Sequence, residues 1–224
     1  MALQAISQGS VLDQVFDALK SAIMMGEFKP LQKLRIDELA TIFGTSHMPV
    51  REALGQLVVL GALESPPRRS VVVPDLSPSK LKDLMDLRVL LETHAIELAA
   101  RAATPSTITR LESHHKAMAD LLRRRSFNLS AYLRQNHEFH FTIYKMSGNA
   151  ELMNMIETAW LRYGPMLNLL RERDFLSDGN DDHREMIEGL RSGDVDRAVA
   201  GLRSDLRRAA ASISDAMPRN EAAQ

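Results

Sequence analysis

The sequence predicts a mainly α-helical protein, with an N-terminal winged helix-turn-helix followed by an all-α antiparallel bundle of six helices. Three observations carry that prediction. Two short helical patterns lie either side of Gly44, close enough to be joined by a tight turn. A hairpin pattern with a basic tip follows them directly. From Pro78 onward every segment has helical spacing of its apolar residues, and none alternates as a strand does.

The first helix is expected over 11–23, where Leu12, Val15 with Phe16, Leu19 and Ile23 form one stripe that Gly26 closes. The second runs from Leu34 to Phe43, apolar at Leu39, Ile42 and Phe43, and Gly44 supplies the left-handed residue that ends it. Ser46 or His47 then caps a third helix, and Pro49 sits in its first turn, where a missing N–H costs nothing. That helix turns Val50, Leu54, Leu57 and Val58 inward and Arg51 outward, as a recognition helix would. Past Gly61, segments 62–65 and 71–73 read as two short strands joined by a turn that holds Arg68, Arg69 and Ser70. A solvated turn with two arginines is the plain alternative; a wing, which touches phosphates or the minor groove, is the reading favoured by its place behind the helix pair.

Pro74 to Pro78 is the clearest boundary, since two prolines and a capping serine stop a strand and start a helix. It divides the chain into a DNA-binding domain at 1–74, a linker at 75–78 and a helical domain at 79–217, with 218–224 as a disordered tail. Helices are expected at 78–103, 105–125, 129–147, 150–173, 178–192 and 194–217, with a kink at Pro165. Short breaks at Thr104-Pro105, Ser147 to Asn149, Asp178 to Asn180 and Ser192 to Asp194 imply antiparallel neighbours.

Composition fits a globular chain able to bury a core, with 45% hydrophobic and 25% charged residues. No apolar run reaches the roughly 18 residues that would span a bilayer, and no signal peptide is visible, so a cytoplasmic protein without a membrane partner is expected. The absence of cysteine excludes disulfides and thiolate metal sites. A net charge of −1 argues against indiscriminate coating of nucleic acid. Within 1–74, seven basic residues balance seven acidic ones, so any DNA contact rests on placement. Lys33, Arg35, Arg51, Arg68 and Arg69 fall on turn, helix and wing segments where phosphates would lie.

In the helical half, polar groups interrupt apolar stripes. Leu129, Leu133, Asn136, His140 and Ile143 share one face, so Asn136 and His140 project together. His183 shares a face with Ile187 and Leu190. Asp205 interrupts the stripe of Val195, Ala198, Leu202 and Ala209, and Arg88 interrupts that of Leu84, Leu91, Ala95 and Leu98. Buried polar groups need partners. A shared cavity would give them one another, with two imidazoles, a carboxylate and an amide around a divalent cation and Arg88 facing a bound carboxylate. Alternatively each histidine is a hydrogen-bonded core residue, and Arg88 pairs with Glu92 or Asp205.

The chain resembles the GntR family of bacterial transcription regulators, in the FadR-like branch with a helical FCD domain. The matching residues are Leu39-Ala40, Gly44, Ser46, the run Pro49 to Leu54, Leu57 and Gly61 in the first half. In the second they are Leu87 to Glu92, Asn136 to His140, Ser147 to Asn149, and His183-Arg184 with Gly193-Asp194. The resemblance implies a homodimer that binds a near-palindromic operator, most often as a repressor, and a small organic acid effector in the helical domain. It places DNA contacts at Ser46, His47, Arg51, Arg69 and Ser70, metal ligands at Asn136, His140, His183 and Asp205, and an effector arginine at Arg88. Zinc, nickel or manganese would suit that set. Position 47 is usually arginine in the family, the first metal ligand is often aspartate and the last often histidine. An asparagine at the first ligand position is found in the VanR-like branch. Two other classes compete: a helical metal-dependent hydrolase using His140 and His183, and a helical adaptor whose polar groups only fix packing. Neither explains the Pro-Val-Arg-Glu run.

Overall fold

The computed structural model describes the backbone of residues 10–67, 69–75, 77–170 and 173–217, and the side chains of these except 173–179. Arg68 and the segment 218–224, expected to form part of the wing and a tail, lie outside the described residues.

Helix α1 (Val11–Met24) starts at a capping box: the Ser10 hydroxyl accepts from the Asp13 amide, and the Asp13 carboxylate accepts from the Ser10 amide at 2.8 Å. It buries Val15, Leu19, Ile23 and Met24 against α3 (His47–Val59), which returns Val50, Ala53, Leu54 and Leu57. Between them lies α2 (Ile36–Phe43), ended by Gly44 at φ +62°, the left-handed conformation only glycine adopts without strain. Strands β1 (Lys33–Leu34) and β2 (Val71–Val72) pair antiparallel, Lys33 opposite Val72 and Leu34 opposite Val71. Glu64 bridges to the other edge of Val72.

The second half is α4 (Pro78–Ala102), α5 (Pro105–Arg123), α6 (Leu129–Lys145), α7 (Ala150–Tyr163), a 3-10 segment (Gly164–Leu169), α8 (Arg173–Ser192) and α9 (Val195–Ala216). Ser77, Thr104, Asn128, Asn149 and Asp194 each cap a helix by accepting from the amide three residues on. Such caps contribute about 1 kcal/mol apiece. Helix α4 runs through the middle, packed on α6, α7 and α9, while α8 lies along α9 and α5. None of the described helices is long and apolar enough to cross a membrane.

The two halves dock through α1 and the 3-10 segment. A Cβ at Gly164 would sit 2.1 Å from the Ile23 carbonyl oxygen, and one at Gly26 would sit 2.9 Å from the Gly164 oxygen. The two backbones therefore touch. Asn168 donates from its side-chain amide to the Gly26 and Phe28 carbonyls, the second at 2.9 Å, and Lys20 pairs with Glu157.

Five expectations change. Leu34 is in β1 rather than at the start of a helix, because its pairing with Val71 and its burial outrank the local helical pattern. The strand expected at 62–65 shrinks to the single bridge at Glu64. Ile42 is 73% exposed, so the inward face of α2 is Leu39 and Ala40, with Ile36 and Phe43 packed half-buried against the core. Pro165 does not kink a long helix: α7 stops at Tyr163, and the proline enters the first turn of the 3-10 segment. Conversely, Asp178-Gly179-Asn180 is no break, since α8 runs through it from Arg173. A single glycine weakens a helix by only about 1 kcal/mol, which packing against two neighbours can outweigh.

Candidate functional sites

At the N-terminal end of α3, Ser46, His47, Met48 and Arg51 are all exposed. Ser46 caps the helix with extended backbone and no side-chain bond, leaving its hydroxyl outside the cap. The His47 Nε2 lies 3.5 Å from the Asp37 carboxylate on α2. Lys33, Arg35, Arg69 and Ser70 are exposed as well, and β pairing brings Lys33 beside Val72 at the base of the wing. Arg35 stands 3.4 Å from Glu38, an exposed pair worth little.

The helical domain encloses a small cavity of about 40 Å³, lined among others by Arg88, Asn136, His140, Trp160, Tyr163 and Asp205. Here α4, α6, α7 and α9 converge. His140, His183 and Asp205 form one cluster whose ligand atoms all lie within 4.8 Å of one another. His140 Nε2 is 3.4 Å from one Asp205 oxygen, and His183 Nε2 is 3.7 Å from the other. Both imidazoles are essentially without solvent exposure. Among the described residues, neither His183 nitrogen has a hydrogen-bond partner. Burial lowers the His183 pKa to about 3, despite the opposing pull of Asp205, so the ring is neutral and able to ligate. Burial pushes the Asp205 carboxyl up, yet it stays below the ordinary carboxylate range, with the Arg88 charge among the causes.

These donors fit a divalent cation. Two buried imidazoles and a carboxylate within reach of one another are a donor set that zinc-like ions accept, although Arg208 also stands 3.9 Å from Asp205. Asn136 lines the same cavity and is the fourth group that the sequence singled out.

Arg88 is committed to a neighbour. Its Nε donates to Glu92 Oε1 at 2.6 Å and its Nη2 to Oε2 at 3.3 Å, one turn along α4. The guanidinium lies over Tyr163 at 4.0 Å and Trp160 at 4.5 Å. Its Nη1 lies 3.8 Å from the Met85 sulfur. Trp160 and Tyr144 donate to the same carboxylate, and Tyr144 also meets His140 Nδ1 at 3.1 Å. Trp160, Tyr144 and Tyr163 went unremarked as site residues in the sequence. Tyr144 could have been found by its spacing of four from His140, but α7 carries no polar interruption to advertise Trp160.

A winged helix-turn-helix joined to a bundle with an inward-facing polar cavity defines a DNA-binding regulator with a ligand-sensing domain. Family models agree on both halves: "Bacterial regulatory proteins, gntR family" matches residues 12–73, and "FCD domain" matches residues 83–208. The chain belongs to the GntR family and carries an FCD domain. It is 32% identical over 159 residues to the HTH-type transcriptional regulator McbR of Escherichia coli, covering 71% of each chain. The solved structure of E. coli McbR/YncC superposes with a TM-score of 0.87 at 26% identity, over 93% of this chain and 99% of that one. Similarity to the HTH-type transcriptional repressor GlaR of E. coli is 26% over 209 residues, covering 90% of this chain and 95% of that one. These relatives regulate transcription, and the chain is a transcription regulator rather than an enzyme.

Proposed function

We propose that this regulator is a repressor which, as a homodimer, binds a near-palindromic operator and responds to a small organic acid admitted to the FCD cavity. Residues 1–74 would bind DNA, 75–78 would link, and 79–217 would bind effector and dimerise, in the cytoplasm. The observation that carries the reading is the His140, His183 and Asp205 cluster, buried at the end of a cavity that Arg88 also lines. A cation held there by Asn136, His140, His183 and Asp205 would supply the positive charge to attract a carboxylate. Zinc, nickel and manganese all accept such ligands. Arg88 Nη1, which the two bonds to Glu92 do not use, would meet that carboxylate. Repression is supported by two relatives: the repressor GlaR, and a probable D-xylose utilization operon transcriptional repressor of Paenarthrobacter nicotinovorans. Asn136 in the first ligand position supports placement in a VanR-like branch.

On DNA, Arg51 and its neighbours Ser46 and His47 would read base edges, while Lys33, Arg35, Arg68, Arg69 and Ser70 fix the register on phosphates. Effector binding shifts the DNA-competent population only through different affinity for two inter-domain arrangements.

The test is a thermal-shift screen of small carboxylic acids with and without Zn²⁺, Ni²⁺ or Mn²⁺, followed by gel-shift titration on DNA flanking the coding region. An acid that raises stability only with metal, and weakens DNA retention, supports the reading. No preference for any flanking fragment over random duplex would sink it.

A further inference from the structure

We propose that Glu92 and Tyr144 are positioning residues that fix the tautomer of His140, so that its Nε2 faces Asp205 as an unprotonated acceptor. The inference rests on the metal reading of this cavity and adds residues on which a ligand list is silent.

Four donors converge on the Glu92 carboxylate: Arg88 Nε at 2.6 Å and Trp160 Nε1 at 3.1 Å on one oxygen, Arg88 Nη2 at 3.3 Å and the Tyr144 hydroxyl on the other. An ionised carboxylate offers about four lone-pair sites and no proton. All four are taken, with the guanidinium charge as counterweight. The Tyr144 hydroxyl therefore spends its only proton on Glu92 and has just lone pairs left. The next group along is His140 Nδ1, 3.1 Å from the same phenolic oxygen. It must be the donor there. In the neutral imidazole a proton on Nδ1 leaves Nε2 bare.

That bare nitrogen lies 3.4 Å from an Asp205 oxygen. Two acceptors confront each other in a buried site, with the unpartnered His183 nitrogen beside them. A cation satisfies all three at once. The other tautomer would let Nε2–H bond Asp205 directly and close the gap against metal. The relay from Arg88 through Glu92 and Tyr144 thus keeps the site open, as second-shell partners of ligating histidines commonly do. It also gives the Arg88–Glu92 pair a task distinct from meeting an effector.

Tyr144→Phe keeps the ring and removes the one hydroxyl the relay needs. With ¹⁵N-labelled histidine, the metal-free protein should show neutral His140 protonated at Nδ1, and Tyr144→Phe should move that proton to Nε2. Zn²⁺ affinity, measured by calorimetric titration, should fall roughly ten- to a hundredfold in Tyr144→Phe. Glu92→Gln is the second variant, for it frees the tyrosine proton while conserving shape; it should shift the same signal. Thermal melts of both variants separate repositioning from unfolding. A His140 proton already on Nε2 in the unmodified protein overturns the proposal, as does unchanged Zn²⁺ affinity in Tyr144→Phe. The spectrum needs no metal, so failure of the unmodified protein to take up Zn²⁺ would count against the metal reading while the tautomer still decides the relay.

Discussion

Glu92 Oε1 lies 2.6 Å from Arg88 Nε, and both side chains are at most 2% exposed. A buried pair of this kind owes its stability to completeness: removing one partner strands the other charge, whereas replacing both with apolar groups is often tolerated. Glu92→Ala should therefore destabilise the protein by about 3–5 kcal/mol in urea unfolding. The double change Arg88→Met with Glu92→Leu should cost less than Glu92→Ala, because it still strands the Trp160 and Tyr144 donors but leaves no buried charge unpaired. Equal losses in the two proteins would mean that the pair is not what holds this part of α4.

Metal should stabilise the folded chain. At a free Zn²⁺ concentration a hundred times the dissociation constant, linkage predicts about 2.7 kcal/mol, read as a rise in Tm. His183→Ala and Asp205→Ala should abolish that rise, while Asn136→Ala should reduce it. A rise that survives His183→Ala would place the ion elsewhere.

Arg51 is exposed at the start of α3, clear of the core formed by Val50, Ala53, Leu54 and Leu57. Arg51→Ala should leave Tm within experimental error and weaken binding to the specific operator by about 1–3 kcal/mol in gel-shift titration. Binding to random duplex should change less.

Arg69 sits on the exposed turn ahead of β2. As a phosphate contact it should act on all sequences alike. Arg69→Ala should reduce the slope of log affinity against log salt by roughly one, with sequence preference retained. A change confined to one operator base would point to base readout instead.

Gly164→Ala places a methyl group 2.1 Å from the Ile23 carbonyl oxygen, with backbone rather than a movable side chain as the obstacle. Overpacking ordinarily costs about 1–3 kcal/mol, and this contact belongs at the upper end or above. The expected outcome is a lower Tm with faster proteolysis between α1 and the bundle.

Much of this architecture could be read from residue order alone, for identifiable reasons. Pro78 and the caps Thr104, Asn128, Asn149 and Asp194 act locally, so the starts of α4 to α7 and of α9 were visible. Polar groups on apolar stripes stand out against their surroundings, which is why His140, His183, Asp205 and Arg88 could be singled out and are found close together. Leu34 was misjudged because its strand partner, Val71, is far along the chain. The 3-10 segment was hidden because Pro165 can either kink a helix or end it, and the close approach of Gly164 to the Ile23 carbonyl is a long-range contact. Trp160 was missed because a tryptophan on an apolar stripe gives no sign that its N–H will serve a carboxylate on α4.

The short span from Gly164 to Leu170 has two neighbours at once. Leu167 and Leu170 line the cavity, while Gly164 and Asn168 grip the end of α1. A hollow of about 40 Å³ holds only a few waters. That part of the cavity wall is therefore also the surface on which the DNA-binding half is seated.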